Sequence, residues 1–349
     1  MLSGIHLLRG VAALLVAGFH IYAASAGTEN GTPFLFSAFR GGALGVDIFF
    51  VISGFIIFYS ASRSQPWNAG QFMTGRFFRI YPVYWAVLIG YLGLVGGLWL
   101  MTGDASRIPE LNTLIRSLLL FPSDTYAISI AWTLTIELLF YALFAALFRG
   151  AESDNSLVFT AMMSWGFLSI LYTVAGIDAG GLNVIFHPAV SELLFGMLLG
   201  YIWLNGERRF AVAALILGFS GLAATMTVVP GDALHEWRAL QAGVPAALLV
   251  YGALSLRLRL GFFGKLLGDA SYVLYLIHIP AYMVIGFIAE KVLGISIYAN
   301  DLTMGVTLLS VVALAALVHL LLERPYQAWY KARTAREQNA TRDHRQPIS

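Results

Sequence analysis

Ten apolar stretches, each close to the thickness of a lipid bilayer, leave this chain few folds to choose from. They fall at roughly 7–24, 43–61, 82–101, 128–148, 156–175, 188–204, 210–229, 239–254, 270–290 and 303–322. A helix of roughly 20 apolar residues spans the hydrocarbon core. Of the 349 residues 58% are hydrophobic and only 11% are charged, against about 25% charged in soluble domains. Lipid must therefore cover much of the surface. The expected architecture is all-α, a polytopic membrane helix bundle with about ten transmembrane helices. Only the 25–42 and 102–127 connections and the 324–349 tail have any size, so a single membrane domain is expected over 1–323, followed by a basic tail over 324–349.

Charge placement orients the bundle. With the N-terminus in the cytoplasm, fifteen of the 21 Lys and Arg residues fall on the inner side and five, including Arg238, on the outer, with Arg9 inside the first span. That asymmetry follows the positive-inside rule and predicts an even number of spans with both termini cytoplasmic, in a multi-pass protein of the inner membrane. A rival reading makes the first stretch a signal peptide cut after Ala23–Ala26. It leaves a histidine in the apolar part unexplained. The absence of cysteine excludes disulfides and thiolate chemistry. A net charge of +2 gives no reason to expect a nucleic-acid partner, and no metal-binding or nucleotide-loop motif is present.

The chemistry-bearing residues stand inside the spans, where ionisable groups are functional candidates by default. Arg9 and His20 are eleven residues apart, three turns and a little more, so they share a helix face roughly 16 Å apart. In the second span, "GGALGVDIFFVISGF" carries Asp47 at a depth matching His20, and a carboxylate there would orient the imidazole as a general base. Gly42, Gly45 and Gly54 permit close helix approach. The stretch "GRFFRIYPVYW" places Arg76 and Arg79 on one face as an anion cradle, with Tyr81, Tyr84 and Trp85 as an interfacial girdle and Pro82 in the opening turn of a helix. Glu137 in "AWTLTIELLFYAL" sits near mid-membrane. His278 and Glu323 read first as packing or interfacial residues. Glu192 could face the same cavity, Gly196 and Gly200 form a packing pair, and His187 could meet an external substrate. His6, His235, His319 and His344 form no recognisable pattern.

Taken in order, these segments resemble the acyltransferase-3 family of integral membrane O-acyltransferases over nearly the whole chain. The marks are Arg9 and His20 in the first span, "GVDIFFVISGF", "RFFRIYPVYW", "WTLTIELLFY", "SYVLYLIH" and "ERP". Where the family usually shows serine after the tryptophan, this chain has Thr133, which keeps a hydroxyl. The resemblance implies a stand-alone enzyme similar to bacterial exopolysaccharide acetyltransferases. It implies acetyl-CoA or another acyl-CoA as co-substrate, with no bound cofactor, and a polysaccharide or lipid-linked glycan as acceptor. Membrane lipids and a polysaccharide-synthesis complex are the further partners expected. On this reading Arg9, Arg76 and Arg79 bind the donor, and His20, Asp47 and Glu137 are catalytic. Ser53, Trp132, Thr133 and His278 are accessory. The alternative is a transporter or flippase for an acylated or lipid-linked glycan, using the same groups as a proton relay; a membrane scaffold is a third.

Overall fold

The structure, a computed structural model, describes residues 3–26, 34–64, 66–150, 152–206, 209–228, 237–256 and 258–343. Arg208, Arg257, His235, His344 and Arg345 lie outside them, as does the side chain of Arg342. Among the described residues the fold is all helical. In chain order the helices are α1 (Ser3–Ser25), α2 (Gly45–Ser62), α3 (Ala69–Thr102), α4 (Leu111–Leu119), α5 (Ala131–Leu147), α6 (Ser156–Val174) and α7 (Val190–Leu204). There follow α8 (Ala211–Val228), α9 (Val244–Leu254), α10 (Phe262–Asp269), α11 (Ser271–Ile288), α12 (Asp301–Val318) and α13 (Arg324–Asp343). Seven helical segments are long and apolar enough to cross a membrane, and three shorter apolar ones lie over 131–147, 190–204 and 239–254. Each apolar run of the sequence has become a helix, in a multi-pass membrane bundle.

Helix α1 runs through the middle, packed on α2, α9, α10 and α11. The tightest pairing joins α2 to α7, and glycine makes it possible. A Cβ on Gly54 would lie 2.0 Å from the Leu193 carbonyl oxygen, and one on Gly196 would lie 2.0 Å from that of Val51. Backbones meet there because no side chain intervenes, as small residues allow in membrane helices. The expected packing role of Gly196 holds.

The α3 region departs from expectation in two ways. The helix begins at Ala69, where the Asn68 side chain accepts from the Gln71 N–H, a cap that starts it far upstream of Pro82. Pro82 therefore lies inside the helix rather than in its opening turn. At 34 residues, α3 is roughly 51 Å long. The connection after it is folded, not a simple outer loop: α4 lies back along α3. Tyr84, Trp85 and Tyr81 donate to the carbonyls of Ser117, Leu118 and Leu119. These carbonyls lie in the last turn of α4, where helical acceptors run short of intrahelical donors; Ser117 accepts from the Leu120 N–H as well. The expected aromatic girdle is thus a capping device. It pins the C-terminal end of α4 roughly 26 Å back from the end of α3 and sets where α5 begins.

A π turn over His319–Glu323 joins α12 to α13. Within it His319 Nδ1 meets Glu323 Oε2 at 2.6 Å, and Gln327 donates to Glu323 Oε1 at 2.8 Å. His6 Nε2 lies 2.9 Å from the Lys265 carbonyl and 3.3 Å from Asp269. Two histidines without a pattern in sequence thus become ties, His319 within its own turn and His6 between α1 and α10.

The close approach at the α2–α7 contact can be tested against an open position. Gly196→Ala should sharply lower the yield and melting temperature of purified protein. Gly93→Ala, where an added Cβ meets nothing within 4 Å, should be neutral or stabilising by up to about 1 kcal/mol. Thermal unfolding in detergent checks both; equal effects would contradict the packing argument.

Candidate active site

Helices α1, α2, α3, α5 and α11 enclose a cavity of about 70 Å³. Arg9, Ser53, Arg76, Arg79, Thr133 and Glu137 line it, together with Tyr141, Tyr272 and Tyr275. The three arginines expected to hold a donor and the mid-membrane carboxylate come from three different helices and meet here. Glu137 Oε1 accepts from Ser53 Oγ at 2.8 Å and from the Tyr141 hydroxyl. That fixes the carboxylate between α2 and α5 and leaves Oε2 without a hydrogen bond among the described residues. Thr133 Oγ1 bonds the Tyr275 hydroxyl at 2.9 Å, tying α5 to α11. The Tyr272 hydroxyl donates to the Ile80 carbonyl.

The guanidiniums are unevenly satisfied. Arg76 donates to Ser60 Oγ at 3.3 Å and lies over the Phe72 and Tyr141 rings. Arg9 and Arg79 make no hydrogen bond or ion pair among the described residues. Arg9 lies within Coulombic reach of Arg79, Glu137, Tyr141 and Glu323. Three cations thus share a cavity with one carboxylate. In a weakly polarisable interior, uncompensated charge is strongly unfavourable, so this arrangement favours an anion. Arg76 also lines a cleft of about 350 Å³ at the α2–α3 turn, with Trp67, Asn68 and Gln71. The arginine cavity therefore adjoins that end of the bundle.

His20 is not where its expected partner lies. Its Nδ1 sits 2.9 Å from the Val16 carbonyl and 3.3 Å from His278 Nε2; Asp47 is bonded elsewhere. The tautomers follow from the acceptors. His278 Nδ1 faces the Tyr275 carbonyl at 2.7 Å, so it carries the proton and leaves Nε2 with a lone pair. His20 Nδ1 faces that lone pair and a carbonyl, so it too must be the N–H. The Nε2 of neutral His20 is then unprotonated. His20 does not line the cavity, but a path of rings leads to it. The Tyr275 ring in the cavity wall lies 6.0 Å from His278, which lies 4.8 Å from His20. His278, expected to serve packing first, is the contact that orients His20.

Asp47 is fully buried and held by Arg238, with Nε to Oδ1 at 2.9 Å and Nη2 to Oδ2 at 2.7 Å. Glu192, also fully buried, stands 3.8 Å from the same guanidinium, beyond hydrogen-bond range. It does not line the arginine cavity. Asp47 faces Arg238 rather than His20. Arg238, at the head of the 239–254 run, reads in the sequence as a loop charge; the signal that it turns inward is that a buried carboxylate requires a cation. Trp132 likewise lies outside the cavity. Its indole packs on Phe50 at 6.2 Å and His187 at 4.6 Å, and it lines a separate cleft of about 690 Å³.

Residues 2–322 match the family model described as "Acyltransferase domain". Over 301 residues the chain is 32% identical to the exopolysaccharide production protein ExoZ of Rhizobium meliloti, covering 82% of this chain and 90% of that protein. Over 226 residues it is 26% identical to the O-acetyltransferase OatA of Staphylococcus aureus, covering 55% of this chain and 36% of that protein. No solved structure matches.

The ion pair makes a prediction independent of these likenesses. Arg238→Met should destabilise the protein by about 3–5 kcal/mol, since it strands the buried Asp47 and Glu192 carboxylates, and Asp47→Leu by less, since Arg238 keeps Glu192 at 3.8 Å. The double variant should lose markedly less than the sum. Thermal unfolding of all four proteins gives the coupling; additive losses would contradict a direct pair.

Proposed function

The chain belongs to the acyltransferase family whose model it matches from residue 2 to 322 and is an O-acyltransferase. We propose that it moves an acyl group, acetyl above others, from a cytoplasmic acyl-CoA to a hydroxyl of an extracytoplasmic or lipid-linked polysaccharide, working in the inner membrane. The observation that carries this reading is the trio Arg9, Arg76 and Arg79 around one carboxylate inside an apolar bundle. The phosphates of a CoA supply the missing negative charge, and guanidiniums are suited to bind them in pairs of hydrogen bonds. The cleft at Trp67 and Asn68, sharing Arg76 with the cavity, is the approach from the basic side of the bundle. The polysaccharide named for the first relative and the acetyl transfer named for the second fit a glycan acceptor and an acetyl donor. Lipids around the bundle and a polysaccharide-synthesis complex complete the proposed partners.

The steps follow from the side chains. His20 lies beyond Tyr275 and His278 from the arginines, so the pantetheine arm, not the phosphates, reaches it. His20 Nε2 takes the proton from the acceptor hydroxyl as its oxygen attacks the thioester carbonyl carbon. The new C–O bond forms, the C–S bond breaks, and the proton passes from the imidazolium to the departing thiolate. His278 and the Val16 carbonyl hold the imidazole in its reactive tautomer. Glu137, fixed by Ser53 and Tyr141, supplies the one carboxylate among the three guanidiniums and relays protons. Thr133 positions Tyr275. Asp47 acts through Arg238 as a structural support rather than as the partner of His20.

The test is the composition of the host's surface glycan. Deleting the protein should remove one ester-linked acyl group, seen by NMR and mass spectrometry, and wild type should restore it. His20→Ala at normal protein level should reduce the ester about 10²–10⁴-fold. Full acylation in His20→Ala cells would overturn the assignment. A glycan fully acylated but retained inside the deletion strain would point to transport instead.

A further inference from the structure

The arginine cavity accounts for a donor but offers nothing shaped for a sugar. The larger cleft beside it does. Because α4 is pinned far down α3, the segment that follows it, together with the connection between α6 and α7, encloses a hollow beside the start of α5. Its volume of about 690 Å³ lies within the roughly 300–1,000 Å³ of small-molecule sites. The two connecting segments are in contact: a Cβ on Gly180, whose φ is +58°, would lie 3.3 Å from Asp124 Oδ2. Two aromatic pairs contribute to the wall, Trp132 against His187 and Tyr172 stacked on Phe186 at 4.9 Å. Asp124 and Ser129 also line it, and neither makes a hydrogen bond or ion pair among the described residues. No arginine or lysine does.

We propose that this cleft is the acceptor site and that it binds a pyranose unit of a polysaccharide; this rests on the acyl-transfer reading above. A pyranose presents apolar C–H faces and a rim of hydroxyls. Aromatic rings with a polar edge suit the first, and a carboxylate and a serine hydroxyl free to bond suit the second. The absence of lysine and arginine makes it a poor site for a CoA phosphate, so donor and acceptor are sorted by charge between the two hollows. Their adjacency is built into one turn of helix. Trp132 lines the cleft and Thr133, the next residue, lines the cavity. Phe50, in the cavity wall, packs directly on Trp132. The Trp132–Phe50 contact stands between the two hollows, and for the transfer above the acceptor hydroxyl must pass it to reach His20.

The test uses the full chain in nanodiscs and two variants outside the catalytic set. Ile177→Trp fills the cleft. Asp124→Ala removes an exposed carboxylate that makes no hydrogen bond among the described residues. The probe is a mixture of oligosaccharides released by mild hydrolysis from the surface glycan of a strain lacking this protein. Binding is read by saturation-transfer NMR, and label transfer from radioactive acetyl-CoA is read in parallel. Wild type should bind the oligosaccharides, and each variant should weaken binding at least tenfold without changing the melting temperature or the KM for acetyl-CoA. No binding to wild type, or equal binding to all three proteins, overturns the cleft. Binding that the variants abolish, with no label transfer by wild type, upholds the cleft as a glycan site and overturns the transfer reading. Transfer at an unchanged oligosaccharide KM in both variants upholds transfer and overturns the cleft.

Discussion

One guanidinium bonded two-on-two to one carboxylate, Arg238 on Asp47, sets much of what surrounds it. Both groups are withdrawn into an apolar bundle, where either alone would be strongly unfavourable. Their bond fixes the head of the 239–254 helical segment against α2. The tight glycine contact then fixes α2 against α7. Ser53, two turns along α2 from Asp47, is thereby held where it can donate to Glu137 on α5. A pair that touches neither cavity thus positions a residue that does.

Because Asp47 is committed to Arg238, His20 must be oriented by other means, and the structure supplies a neutral one. A backbone carbonyl and the lone pair of a second imidazole select the tautomer without adding a negative charge beside His20. A carboxylate in that position would favour the protonated imidazole and attract the nearby arginines. The arrangement instead keeps cationic and neutral polar groups in separate places. Arginines and Glu137 occupy the cavity. The two histidines lie past Tyr275, and the aromatic cleft with Asp124 lies past Trp132.

Much of this was legible in the sequence. Every apolar run became a helix, and Arg9, Ser53, Arg76, Arg79, Thr133 and Glu137 were singled out and converge on one cavity. What could not be read was direction around each helix. Residue count places Asp47 and His20 at similar depth but says nothing about which neighbour each faces. Arg238 was hidden because a charge at the end of an apolar run looks the same whether it points to water or inward. Tyr81, Tyr84 and Trp85 fit an interfacial girdle by composition, and only three-dimensional contact shows them capping α4. His319 and Glu323, four residues apart, carry a helical spacing that is legible in the sequence.

The transfer proposed above requires His20 to be a neutral base presenting an unprotonated Nε2, oriented by Val16 and His278. Nitrogen-15 NMR of histidine-labelled protein in nanodiscs tests it directly, with His20→Ala identifying the His20 signals by difference. A protonated Nδ1 and a bare Nε2 on His20 are expected in wild type, with loss of that single tautomer in His278→Ala. A proton on His20 Nε2, or a spectrum indifferent to His278, would contradict it.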